Sequence, residues 1–251
     1  MIDLLTDTAI DVRVDEAVDD AVLVASMLRC VPVPDSAKLE LLRLMSGADR
    51  HYHDLSHLAA LWRRHRALSP GTGMDAPALQ PMVAAAIGWH DAIYIAGRQG
   101  NEQASASLWQ QVASSGGLDS ASVEWVATTI TATADHISPR ICGYPPKSRE
   151  VQWLLDLDLS PLGDAPEEFA RKSAQLVQEC AAANARDFAT GRIRFFRFLD
   201  ACPQIYLSPA IASVYESQAR QNVARELIQF DLQELETSVQ TTAGAPSRDG
   251  P

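Results

Sequence analysis

Apolar residues recur along most of this chain at helical spacing. Val18, Ala21, Val22, Ala25 and Leu28, for example, fall on one face at i, i+3, i+4, i+7 and i+10. Strand-like alternation is scarce, so the pattern predicts an all-α protein. Turn residues interrupt it at Pro32-Val33-Pro34, Ser69-Pro70-Gly71-Thr72-Gly73, Ser115-Gly116-Gly117, 138–146 and 160–166. Between these breaks the spacing predicts helices over 16–30, 36–46, 52–68, 78–96, 101–114, 119–136, 147–158, 166–188, 191–200 and 209–236. In the last of these, Ala219, Val223, Leu227 and Phe230 share a face, as expected of an amphipathic helix that closes a bundle. From Thr237 onward the residues are polar and small. The expected organisation is therefore one helical body over 1–236 and a disordered tail over 237–251.

Composition narrows the picture. The 251 residues are 47% hydrophobic, enough to bury a full core, yet no apolar run approaches the roughly 18 residues of a membrane span. Asp3, Asp7, Asp11, Asp15, Asp19 and Asp20 stand where a secretory leader would need basic and then apolar residues, which points to a cytoplasmic protein without a membrane partner. Cys30, Cys142, Cys180 and Cys202 form no Cys-x-x-Cys pair and read as buried free thiols. A net charge of −11 disfavours duplex nucleic acid as a partner and leaves a small molecule as the expected one. Nothing in the pattern fixes an oligomeric state.

Histidine placement carries the chemistry. Three of the six histidines fall in Arg50-His51-Tyr52-His53-Asp54-Leu55-Ser56-His57, and on a helix over 52–68 His53 and His57 would stand one turn apart on one face. His90-Asp91 follows the apolar stretch Val83–Trp89, so a buried helix is expected to deliver an imidazole and a carboxylate side by side. Leu154-Leu155-Asp156-Leu157-Asp158-Leu159 sets two carboxylates in an apolar run, where burial without a cation is costly. By chance a His-Asp dipeptide is expected about half a time in such a chain and a His-x-x-x-His pair about 0.14 times, so the ordered combination outweighs either part.

His57, His90-Asp91 and Asp158 resemble the H…HD…D pattern of the HD superfamily. The resemblance extends over 36–236 through Trp89-His90-Asp91-Ala92-Ile93-Tyr94, Asn101-Glu102-Gln103-Ala104-Ser105-Ala106, Gly191-Arg192 and Ile205-Tyr206, and is nearest to the predicted metal-dependent HD phosphohydrolases. Asp54 departs from the asparagine expected there. The resemblance implies a single helical HD-type bundle with His57, His90, Asp91 and Asp158 as metal ligands. Tyr52-His53-Asp54 is similar to the Tyr-His-Asn segment of cyclic-nucleotide phosphodiesterases, which by analogy makes His53 the general acid. The implied activity is hydrolysis of a phosphoester or phosphoanhydride in a small molecule, with a nucleotide as the substrate class.

Imidazoles with carboxylates suit manganese, iron, nickel or zinc, and Asp91 could bridge to a second ion such as magnesium. Glu102 is a candidate to order water in catalysis or, equally, a residue favouring the positive end of its helix. Arg50 and Arg192 are candidate phosphate-binding cations, whereas Arg63, Arg64 and Arg66 read as a solvated basic face. Asp156 reads as a supporting residue. His136 reads equally as helix end or site residue; it keeps a di-iron oxygenase as an alternative, beside a nucleotide-binding sensor without turnover.

Overall fold

Side-chain oxygens start several of the helices. Asp19 accepts a hydrogen bond from the amide of Ala21, Asp54 from Ser56 and His57, Asp119 from Ser122, and Ser148 from Val151. These caps satisfy amides that have no partner inside a helix. The computed structural model describes residues 19–137 and 148–243, the side chains of 181–186 and 233–243 excepted. Within them run α1 (Asp20–Cys30), α2 (Asp35–Met45), α3 (Leu55–Leu68), α4 (Gln80–Trp89), α5 (Asn101–Ala113), α6 (Ser120–Ala132), α7 (Arg149–Leu159), a 3-10 turn (Ser160–Gly163), α8 (Pro166–Ala201) and α9 (Pro209–Ala243). The fold is all-α, and the described residues contain no strand. No helix among them is long and apolar enough to cross a membrane.

The element least able to face water lies at the centre. Every residue of α4 from Val83 to Trp89 is buried, and α1, α3, α5, α6 and α7 all pack against it. Trp89 meets Trp109 of α5 edge to face at 5.4 Å, an arrangement favoured by the ring quadrupoles. Trp62 and Trp153 are also in the core, and Trp125 packs against it. On α9, Ala219 and Val223 are buried and Leu227 and Phe230 lie against the same core, the face expected from their spacing.

Other expectations are corrected. The buried stripe of α1 is Leu23, Val24, Met27 and Leu28, the face that packs on α3 and α4, while Val22 lies off that face and is 55% exposed. The expected break before residue 191 is absent: α8 continues through Gly191, a residue that costs a helix only about 1 kcal/mol relative to alanine. Beyond it, Phe196 and Leu199 are buried in the core. Arg64 belongs to no solvated face; it is buried and ion-paired with Asp164. Cys180 and Cys202 are buried and outside any disulfide, but Cys30 is only half-buried. Cys142 and the break expected over 138–146 lie outside the described residues, as do the acidic positions of the amino terminus before Asp19. At the other end α9 reaches Ala243, and 244–251 lie outside them too.

Candidate metal centre

Three helix ends converge beside the core. α3 begins with its Asp54 cap and puts His57 in the first turn; α4 stops at Trp89 and hands over His90 and Asp91; α7 presents Asp158 one residue before its end. Asp54 also accepts from the Ser56 hydroxyl at 2.6 Å, so its departure from asparagine preserves a capping side chain. After Asp91 the chain turns back toward α5, where Asn101 accepts from the Ile95 amide and donates to the Ile95 and Arg98 carbonyls, at 3.0–3.2 Å. Ser105 brackets Ile93 by accepting from its amide and donating to its carbonyl. The Asn101–Ala106 segment thereby fixes the strap that leaves the His-Asp pair.

The ligating atoms of His57, His90, Asp91 and Asp158 all lie within 4.8 Å of one another. His57 Nε2 is 3.4 Å from His90 Nε2, 3.2 Å from Asp158 Oδ1 and 4.0 Å from Asp91 Oδ2. His90 Nε2 is 2.9 Å from Asp91 Oδ2 and 3.6 Å from Asp158 Oδ1. Atoms about 2.1 Å from a shared ion stand about 3.0 Å apart at right angles and about 3.4 Å apart in a tetrahedron. The donor set fits a divalent ion, with His57, His90, Asp91 and Asp158 as the residues that could hold it. His90 Nδ1 lies 2.9 Å from the Ile87 carbonyl, which fixes the proton on Nδ1 and turns Nε2 inward.

The neighbouring imidazoles set the charge of the two carboxylates. Burial disfavours charge on Asp158, yet His90 and the hydrogen bonds from His136, His57 and His90 hold it well below the usual carboxylate range. Asp91 is likewise depressed: burial opposes ionisation, and the charges of His90 and His53 overcome it. The two carboxylates are thus ionised in a buried place, which costs free energy unless positive charge accompanies them.

His53 stands beside the cluster and outside it. It precedes the Asp54 cap, so the expected pairing of His53 and His57 on one helical face is incorrect, although their rings lie 5.8 Å apart. The His53 ring packs against Tyr94 at 4.2 Å, and its Nε2 is 3.9 Å from Asp91 Oδ2. Its Nδ1 donates to Glu179 of α8. The other oxygen of Glu179 accepts from the amides of His51, Tyr52 and His53 at 2.7, 2.9 and 3.1 Å. Burial would raise the Glu179 carboxyl, but its bond from His53 and these amides hold it down at about 2. Burial would lower His53, and Asp91 with Glu179 raise it instead, favouring the charged imidazole. Sequence reasoning missed Glu179 because an acid within a long amphipathic helix carries no motif; only the packing of α8 brings it here.

The remaining candidates divide. Arg50 is committed to backbone, donating to the carbonyls of His53, Asp91 and Ala92 at 2.8–2.9 Å, so it clamps the site and does not offer itself to phosphate. Arg192 lines the adjoining pocket, but its guanidinium pairs with Glu226 at 2.8 Å. Glu102 sits in the first turn of α5, outside the four-residue cluster. Asp156 accepts from the Ser208 amide, which makes it a support for the chain entering α9. His136, by contrast, is part of the site: its Nε2 is 3.0 Å from Asp158 Oδ2. From His53, His136 and Asp158 a pocket of about 410 Å³ opens along α8. The chain matches no family model, no curated protein and no solved structure.

Proposed function

We propose that this chain is a metal-dependent phosphohydrolase of the HD type, cleaving a phosphoester or phosphoanhydride bond of a small molecule. The observation that carries the reading is the His53–Glu179 pair beside the four-residue cluster, at the inner end of a pocket. His57, His90, Asp91 and Asp158 would hold a divalent ion, which would supply charge neutralisation and make water ionisable near neutral pH. The chain's own residues handle the leaving group. As a water oxygen bonds to phosphorus and the P–O bond to the leaving group breaks, His53 Nε2 gives its proton to the departing oxygen. The water's proton passes to solvent, from which His53 is reprotonated. Glu179 fixes the His53 ring and favours its charged form, which suits an acid working near pH 7. A nucleotide is the substrate class that the resemblance implies.

His136 favours a second reading, a di-iron oxygenase, because it adds a third imidazole within reach of Asp158. Elemental analysis and phosphate release across manganese, magnesium, nickel, zinc and iron decide between the two. Under the first reading, Asp91→Ala loses both metal and activity. His53→Asn keeps the metal while activity falls by about 10²-fold or more. Bound iron with oxygen uptake and no phosphate release would move the assignment to the oxygenase, and no metal under any loading condition would sink both.

A further inference from the structure

The pocket running from the metal centre is dominated by carbon. Its far wall is built from Leu162, Phe169, Leu176, Phe188, Phe195 and Phe196, and polar atoms gather at the inner end around His53, His136 and Asp158. Two cations reach this wall, and each is ion-paired with a carboxylate. Lys172 lies 2.8 Å from Asp164 and 3.3 Å from Glu168, and Arg192 pairs with Glu226 while stacking over Phe196 at 5.0 Å. Among the described residues of the wall, no cation stands without a carboxylate partner, ready to meet the second and third phosphates of a nucleoside triphosphate. Nor do the described residues of the wall offer the set of donors and acceptors that reads a base edge. What it offers is desolvation of an apolar body.

We infer that the substrate is a monophosphate ester of an apolar alcohol, aryl or medium-chain alkyl, whose hydrocarbon part lies along α8 while its phosphate meets the metal centre. The hydrolysis assigned here rests on the phosphohydrolase reading; the apolar character of the ligand rests on the pocket wall. Hydrolysis leaves the alcohol in the pocket with the proton from His53 and inorganic phosphate at the cluster. Gly191 provides a way to alter the wall without disturbing the core. A side-chain carbon added there meets no atom within 4 Å, and the helix gains a better former.

The test uses the full chain loaded with manganese. Decyl phosphate and 1-naphthyl phosphate are compared with glycerol 3-phosphate, adenosine monophosphate and adenosine triphosphate by kcat/KM. Calorimetry with butyl-, hexyl- and decylphosphonate, which resist hydrolysis, reads binding apart from turnover. The expected result is a preference of tenfold or more for the apolar esters, with phosphonate affinity rising by up to about fourfold per added methylene. Gly191→Leu should change kcat/KM for decyl phosphate about tenfold more than that for glycerol 3-phosphate. Equal rates across the panel, or a preference for the triphosphate, would overturn the inference and leave the phosphohydrolase standing. Chain-length-dependent binding with no phosphate released from any ester would retain the apolar ligand and overturn the hydrolysis. Affinity that does not change with chain length overturns the pocket assignment whatever the activity.

Discussion

Single side chains in this molecule have protonation states set by where the fold puts them, and His65 is the plainest case. It is fully buried, stacked on Trp62 at 5.1 Å, and its Nδ1 accepts the indole N–H of Trp153 at 3.1 Å. An indole can only donate, so the ring is neutral with its proton on Nε2. Burial pushes its pKa down to about 4, against an ordinary value of 6.5. Above pH 6.5 neither the folded nor the unfolded chain protonates it; as pH falls from there toward 4, only the unfolded chain does, and stability is lost. Between pH 7.5 and 4.5 the wild type should therefore lose about 2–3 kcal/mol more than His65→Asn, read from urea unfolding at both pH values. Parallel losses would mean that His65 is not the buried base described. Glu179 gives the opposite sign, because it holds a proton on its neighbour. Glu179→Gln should retain the metal, since no ligand is touched, and should shift the alkaline limb of the phosphate-release profile to lower pH, as His53 then loses its proton sooner. An unshifted limb with an unchanged rate would remove Glu179 from any positioning role.

Elements were legible where their signals are local. The run Val83–Trp89 marks the central helix in the sequence itself, whereas the Asp54 cap starts α3 at Leu55, three residues later than the spacing predicts. The order His57, His90-Asp91, Asp158 likewise picked out the four residues that converge. What sequence did not yield depends on partners far along the chain. Gly191 reads as a break, but packing of α8 against α9 carries the helix through it. Arg64 reads as a surface residue until Asp164 and Ser160 come to meet it. The contact between the 3-10 turn and α9 is of the same kind, and Gly163 makes it possible. A Cβ there would stand 2.7 Å from the Tyr215 carbonyl oxygen and 3.0 Å from its Cα, backbone atoms that cannot rotate away. Gly163→Ala should destabilise the protein by about 1–3 kcal/mol, measured by thermal or urea unfolding, because α9 must shift to admit the methyl group. Leu162 and Pro161 of the same turn line the pocket, so the variant should also weaken decylphosphonate binding. A neutral substitution would show that the two elements are less closely apposed than described.

At the scale of the whole molecule, the candidate metal centre joins the ends of three helices. His57, His90 with Asp91, and Asp158 come from α3, α4 and α7, three elements that pack on one another and whose ends carry like-charged carboxylates into a buried space. An unfolded chain holds these residues far apart in sequence, so an ion that binds the folded chain alone adds its binding free energy to folding. At a free concentration of about 100 times the dissociation constant this amounts to about 2.7 kcal/mol, or an increase in Tm of about 5–11 °C for a protein of this size. Titration of the chelator-treated protein with manganese or zinc, followed by calorimetry, should show that increase and its reversal by chelator. The same titration separates ligands from neighbours. His57→Ala and Asp158→Ala should lose the metal-dependent increase, whereas His53→Asn should keep it, because His53 hydrogen-bonds to Glu179 and stands outside the ligand cluster. If His53→Asn abolished the increase as completely as His57→Ala, the division between a ligand histidine and a proton-donating histidine would be wrong. His53 would then have to be counted among the groups that bind the ion.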